Sequence, residues 1–440
     1  MRRVISNTIR RGLKSTICAN IISLYVLQIS FYVLPLITVP YLVRVLGAEK
    51  FGLVSFGQSL INFFVFFINY GFDLTATREI SIKRDDNRAV SRLSSSVWLA
   101  KFLLSLAGFL VLLAMIAAVR KMNQIAPLLL ILYGLVVGNM LFPSWLFLGL
   151  ERMKAISAIN LIMRSVATAG VFIFVRNPDD YLVYAGLLSF QWVFAGLAGV
   201  LFAVRRLRIR IRMPGAGEVL SVLSGGLTLF VSNIAQSLYI GGNSFILGLL
   251  TNYSAVGYYS AAEKITLSLM GMFRPLAQAV YPRFSQLASS SRETVLLWGK
   301  RLVYAVGGLG IITSFALFFG APLIVKIVLG KGFDPSIAVL QIMAVLPILM
   351  ALSDVLGIQI MLPFGKDRLY AVIRILTASI HLLLAILIVP RFKEAGMAFV
   401  FVMSQVFILA LTFSCLRHWG LTPFHHKVSG SAPQSTVKSG

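Results

Sequence analysis

The chain has 440 residues, with 40 Lys and Arg against 15 Asp and Glu, a formal net charge of +25, and 58% hydrophobic against only 12% charged residues. A soluble domain is about a quarter charged, so a soluble core of this length is excluded. The basic excess points either to nucleic acid or to a membrane surface, and its distribution along the chain favours the membrane.

A hydrocarbon core of about 30 Å requires roughly 20 apolar residues as helix. Stretches of that kind lie near 18–42, 53–75, 97–119, 125–148, 155–175, 181–203, 219–249, 254–282, 302–329, 335–362, 369–389 and 396–416, which predicts twelve transmembrane helices. The basic amino terminus ahead of the first run resembles a signal peptide. The run is too long for one and no small-residue cleavage site closes it, so it reads as an uncleaved first span. Of the 40 Lys and Arg, 26 fall in the amino terminus, the even-numbered connections and the tail. Only 9 fall in the odd-numbered connections, and Lys101, Arg164, Lys264, Arg274 and Arg374 lie inside spans. The positive-inside rule then predicts that both termini are cytoplasmic.

Arg205, Arg206, Arg208, Arg210 and Arg212 form the densest basic run, in the connection between the sixth and seventh spans. On anionic headgroups each contributes about 1 kcal/mol, and this reading is preferred to a nucleic-acid site. Trp98, Trp145, Trp298 and Trp419 fall near predicted cytoplasmic span ends, as an interfacial belt requires, whereas Trp192 lies inside a span. Cys18 and Cys415 imply no disulfide framework. The Ser-, Gly-, Pro- and Lys-rich tail reads as disordered.

The basic link at 204–218 divides the chain into an amino-terminal half (1–203), a carboxy-terminal half (219–416) and a tail (417–440). Six spans per half give both halves the same orientation, a parallel repeat about an axis along the membrane normal with a cavity expected between them. An offset of 205 residues aligns Gly52 with Gly257, Ser55 with Ser260, Gln58 with Glu263, Ser59 with Lys264, Asn69 with Arg274 and Asp73 with Gln278. Ser55, Ser59, Asn62, Asn69 and Asp73 recur at helical spacing in the second span. Asn233, Gln236 and Asn243 do so in the seventh, and Ser260, Lys264, Arg274 and Gln278 in the eighth. Any single Asn or Gln is better explained by interhelical hydrogen bonding. Three stripes together predict a hydrated central pathway.

An ionised side chain at mid-bilayer costs at least about 3 kcal/mol on the insertion scale unless it is paired or solvated. Arg274 has no acid near it on its own helix, and Arg164 lies near the middle of the fifth span. Lys101 and Arg374 lie in the inner third of theirs and can snorkel. Unpaired cations in a cavity concentrate anions and supply charge-assisted hydrogen bonds, and phosphate is the natural guest. Arg274, Arg164, Lys264, Asn69, Asn233, Gln236 and Gln278 are therefore the candidate substrate-binding residues. Asp73, Glu263 and Asp354 are the acids in or closing spans and the candidates to bind a coupling ion, H+ or Na+. His381 reads as a packed histidine rather than a proton relay. No Walker A loop, no zinc-ligand spacing and no outer loop above about fifteen residues argue against an ATPase, a metalloenzyme and a glycan polymerase, and no cofactor is expected.

The run PYLVRVLGAEKFGLVSFGQSLINFFVFFINYGFDLTATREIS at 40–81 strongly resembles the second-span region of bacterial O-antigen and capsule repeat-unit flippases, the Wzx-type polysaccharide exporters. PSWLFLGLERMKAIS at 143–157, VGYYSAAEKITLSLMGMFRPLAQAVYPRFSQL at 256–287 and LPFGKDRLY at 362–370 extend the resemblance over nearly the whole chain. It implies an all-α integral membrane fold shared with multidrug-and-toxin extruders, two six-helix lobes in a V with helices one, two, seven and eight lining the cavity. It also implies the cargo, an undecaprenyl-diphosphate-linked oligosaccharide moved from the inner to the outer leaflet of the bacterial cytoplasmic membrane by ion-coupled alternating access. The resemblance further implies that Arg274 contacts the anionic substrate, and that membrane lipids and other polysaccharide-assembly proteins are the partners, not nucleic acid. Another polyprenyl-linked glycan, or a drug, is the alternative cargo.

Overall fold

The computed structural model describes the backbone over residues 2–271 and 292–422, and side chains over 33–227, 230, 241–271, 293–366 and 368–422. No β-strand occurs among the described residues. Among the described residues, eight helical stretches are long and apolar enough to cross a membrane, and two of them, Val33–Ile82 and Arg368–His418, are each as long as two spans. They accommodate ten of the twelve predicted spans. The seventh and eighth run through shorter helices and into residues outside the described range.

In chain order the amino-terminal lobe comprises α1 (Arg2–Asn69), α2 (Phe72–Ile82), α3 (Asn87–Ala118), α4 (Arg120–Asn123), α5 (Ala126–Leu132), α6 (Gly134–Leu141), α7 (Ser144–Gly149), α8 (Met153–Phe174) and α9 (Tyr181–Arg205). The second lobe comprises α10 (Ala216–Ile240), α11 (Asn243–Leu250), α12 (Tyr253–Gly271), α13 (Arg292–Ile324), α14 (Pro335–Met343), α15 (Leu346–Asp354) and α16 (Asp367–His418). Gly47 (φ 71°) divides α1 into the first two spans, and Lys393 (φ 46°) divides α16. Glycine adopts that left-handed conformation without a Cβ penalty. The face carrying residues 204–218 is the link face; Gly47, Lys121 and Thr251 mark the opposite, far face.

Breaks in the spans set where polar groups go. The fourth span comes apart at Phe142 and Pro143, leaving helix carbonyls that hydrocarbon cannot satisfy. Donors on α3 fill the gap: Lys101 Nζ donates to Asn139 O at 3.0 Å and the Trp98 indole to Leu141 O at 3.2 Å. Lys101 is 1% exposed, so it does not snorkel to the interface as its depth suggested; it turns inward to a neighbouring backbone. Trp145 is fully buried with its ring edge-on to Trp98, so these two tryptophans belong to the lobe interior and not to a lipid-facing belt.

The polar stripe of the second span is likewise shared out differently from its helical spacing. Tyr70 (φ 48°) and Gly71 (φ 91°) end α1, so Asp73 sits on a separate short helix and leaves the stripe. Ser59 Oγ donates to Gly241 O at 2.5 Å and accepts from Phe245 N at 3.2 Å, which serves the break between α10 and α11. It is an interhelical bond between the lobes, not part of an open pathway.

One continuous cluster of buried apolar residues runs from Val39 and Phe56 of α1 through α12 to Phe401 of α16, joining the lobes. Among the described residues, the most extensive packing between elements is α1 on α12. On the link face, residues 206–215 are tied to α3: Arg210 N donates to Ser91 Oγ and Arg212 N to Ser95 Oγ, both at 3.1 Å, and Ile209 is buried beneath. Glu218 accepts from Arg212 and lies 3.8 Å from Arg92 Nε.

Candidate functional site

Below the contact between α1 and α12 lies a cavity of about 260 Å³ with a mixed polar and apolar wall. The first span contributes Leu34, Pro35, Thr38 and Val39, and the second Gln58. Arg164, Ala167, Thr168 and Val171 come from α8, Tyr184, Leu187, Leu188 and Gln191 from α9, and Lys264, Leu267 and Ser268 from α12. Pro35 cannot donate to the turn before it, and the Thr38 hydroxyl, donating to Leu34 O at 3.1 Å, satisfies the backbone beside it. Arg164, Thr168 and Val171 recur at intervals of four and three, which puts them on one face of α8.

Two of the predicted cations meet here, one from each lobe: Arg164 on α8 and Lys264 on α12. The Lys264 ammonium lies 4.7 Å from the Phe51 ring centroid, within cation–π range. The neighbouring Glu263 carboxylate is occupied elsewhere, accepting from the Tyr259 hydroxyl at 3.0 Å and from Asn243 Nδ2 at 3.4 Å. Asn243 is 1% exposed, and its Oδ1 has no hydrogen-bond partner among the described residues. Ser260 pairs with Ser244 at 2.8 Å inside the same lobe. The polar residues of the eighth span thus divide: Ser260 and Glu263 serve the α11–α12 packing, while Lys264 and Ser268 line the cavity.

The remaining candidates that fall among the described residues are dispersed. Asn69 lies at the link-face end of α1 and is not in the cavity wall. The backbone at Asn233 and Gln236 is helical within α10, but their side chains, like all of Arg274 and Gln278, lie outside the described residues. Asp73, in the first turn of α2, accepts from Ser144 Oγ at 2.5 Å. Asp354 ends α15 near Tyr370, whose hydroxyl accepts from Arg374. His381 is buried with Nδ1 2.8 Å from Ser404 Oγ, a packed, hydrogen-bonded histidine. Thr38, Thr168, Gln191 and Ser268 were missed as wall residues, and Gln58 was marked only by its alignment with Glu263 in the repeat. The spacing of Thr168 from Arg164 was available as a signal, whereas nothing local marks Gln191.

A cavity with two cations, amides and hydroxyls, reached from hydrocarbon-length helices, can hold an anionic polar group while an attached apolar chain stays outside. A larger cleft of about 550 Å³ on the link face is lined by both signs, Glu79, Asp86 and Glu218 against Lys83, Arg88 and Arg92, and so has no such preference.

Comparisons with known proteins agree with this architecture. The family model for polysaccharide biosynthesis proteins matches residues 17–288. A protein of Escherichia coli (strain K12) named "Putative O-antigen transporter" is 32% identical over 405 residues, 92% of this chain and 98% of the relative. A protein of the same name from Shigella dysenteriae is 26% identical over 90% of this chain and 99% of its own length. Among solved structures, the lipid II flippase MurJ in an inward closed conformation superposes with a TM-score of 0.68 at 12% identity, covering 91% of this chain and 87% of that one. An inward-facing multidrug resistance MATE family transporter of the MOP superfamily superposes at 0.66 with 14% identity, covering 88% and 95%. With its all-α, two-lobed membrane fold and these relatives along nearly its full length, the chain belongs to the polysaccharide biosynthesis protein family, as a Wzx-type flippase.

Proposed function

We propose that this protein moves undecaprenyl-diphosphate-linked glycan repeat units from the inner to the outer leaflet of the bacterial cytoplasmic membrane, as a transporter and not an enzyme. The observation that carries the reading is the convergence of Arg164 and Lys264 from opposite lobes on one cavity of mixed polar and apolar wall. A diphosphate brings about two negative charges and the sugars bring hydroxyls, each costing several kcal/mol if left unsatisfied in hydrocarbon. Charge-assisted hydrogen bonds from the two cations replace the lost water, Gln58, Gln191 and Thr168 suit the sugar hydroxyls, and the polyprenyl tail remains in lipid. A cation from each lobe also means that the hold on the anion depends on how the lobes stand relative to one another, which is what alternating access requires.

Both charged residues of the cavity wall are basic, which supports an anionic lipid-linked glycan over a cationic drug. The charge split along the chain supports a cytoplasmic link face with both termini on that side. Of the three acids, Glu263 is best placed to bind the coupling ion, because it is next in sequence to Lys264 and its carboxylate meets a buried amide whose oxygen is unpartnered. None of the three is itself a wall residue, but Asp73 and Asp354, unlike Glu263, do not adjoin one in sequence.

The test is reconstitution into vesicles with a labelled polyprenyl-diphosphate glycan in one leaflet, following its appearance in the other. Transport that requires the diphosphate and is lost with the two cations supports the reading. Equal transport of a neutral polyprenyl glycan overturns the diphosphate assignment.

A further inference from the structure

On the far-face side of the cavity, α1 and α12 approach so closely that no side chain fits between them. A Cβ built on Gly52 would lie 1.8 Å from Tyr253 O and 2.6 Å from Gly257 N. One built on Gly257 would lie 2.0 Å from Ala48 O. The atoms met are backbone, so no rotamer change relieves the overlap. Gly52 and Gly257 are also the pair that the 205-residue offset aligns, so the repeat places one glycine from each lobe at the same point and makes them face each other. Gln58 and Lys264, six and seven residues further along, lie about 10 Å deeper toward the link face. The cavity wall therefore begins where the glycine contact ends.

A second contact between the lobes sits beside the first. Lys121, on the short α4 of the amino-terminal lobe, donates to Gly248 O and, at 3.1 Å, to Thr251 O, the carbonyls that end α11 of the other lobe. A cation at a helix carboxy terminus is favourably placed. The rings of Tyr253 and Phe56, with centroids 5.3 Å and 5.9 Å from the ammonium, flank it. Arg44 makes a similar reach across the lobes to Ile327 O.

We propose that the Gly52–Gly257 contact, clasped by Lys121, is the far-face gate of the cavity: a seam that closes because both helices lack a side chain there, and that parts to release cargo outward. This rests on the alternating-access reading above. Small residues let transmembrane helices meet backbone to backbone, and because the seam lies between the lobes it can part without unpacking the interior of either one. Adding one methyl group at either glycine holds the helices apart and leaves the far face open.

The experiment uses thiol accessibility and no glycan, so its outcome is independent of the cargo assignment. In a background with Cys18 and Cys415 replaced by Ser, the cavity residue Ala167 becomes the reporter as Ala167→Cys. It is alkylated with a membrane-impermeant maleimide in right-side-out and in inside-out vesicles. Gly52→Ala and Gly257→Ala are expected to raise the alkylation rate from the far face at least tenfold. Lys121→Gln, which creates no backbone clash, should raise it several-fold. Gly308→Ala, at a glycine with open space around it, serves as the control and should match the parent. Unchanged labelling in folded, monodisperse Gly52→Ala and Gly257→Ala overturns the seam. If those variants do not fold, unchanged labelling in Lys121→Gln overturns the gate on its own.

Discussion

Lys101 and Lys264 look alike along the chain, each a lone lysine inside an apolar span, yet the fold gives them opposite employment. Lys101 is enclosed within the amino-terminal lobe and donates to a carbonyl at the break in the fourth span. Lys264 stands in a cavity wall, against an aromatic ring, with Arg164 in the same wall. An intramembrane charge is therefore a site only if its environment leaves it something to bind. Where a broken helix supplies the acceptor, the same residue type is structural.

The comparison is tested most severely by removing the cavity cations. A charge-assisted hydrogen bond contributes about 1.5–3 kcal/mol, so Arg164→Ala or Lys264→Ala should each lower the flipping rate roughly 10- to 100-fold, and the double variant should leave no rate above empty vesicles. Lys264→Arg should retain part of it, since charge survives while geometry changes. Normal flipping by the double variant at normal protein abundance would break the distinction between the two lysines.

Glu263→Gln comes next. It should abolish the response of transport to an imposed proton or sodium gradient while equilibrative exchange of the labelled glycan continues, because Arg164 and Lys264 are untouched. A gradient response equal to the parent's would assign the ion elsewhere.

Lys101→Met should do the reverse of Lys264→Ala. It strands Asn139 O at the break, at a stability cost of about 1–3 kcal/mol, while transport per folded molecule stays at the parent level. Thermal unfolding in detergent alongside vesicle transport separates the two effects. A transport defect with unchanged stability would place Lys101 in the pathway after all.

The smallest effect concerns the link. Arg212, bonded to Glu218, holds that carboxyl below its ordinary value of 4.5, with Arg92 adding to the pull. A depressed carboxylate stabilises the folded arrangement above its unfolded pKa, and the contribution fades as pH falls through the folded value. Limited proteolysis at the link should therefore accelerate only in acid, and Glu218→Gln should remove that pH dependence while leaving flipping at neutral pH intact.

Ten of the twelve spans were legible in the sequence because they follow from one local requirement. About 20 apolar residues must cover each crossing, and cations must stay at the ends unless something inside receives them. The motif at 40–81 also carried the family. Arg164 and Lys264 could be named as intramembrane cations from their positions alone, but their meeting could not, since they are a hundred residues apart on different lobes. Helical spacing misassigned Asp73, because Tyr70 and Gly71 turn the chain before it, and it misread Ser59, whose hydroxyl is used by the break at Gly241. Gly52 and Gly257 appeared in the sequence only as one alignment of the repeat among several. That they touch was decided by the tertiary structure, because glycine's lack of a side chain has a consequence only when a second backbone arrives to occupy the space.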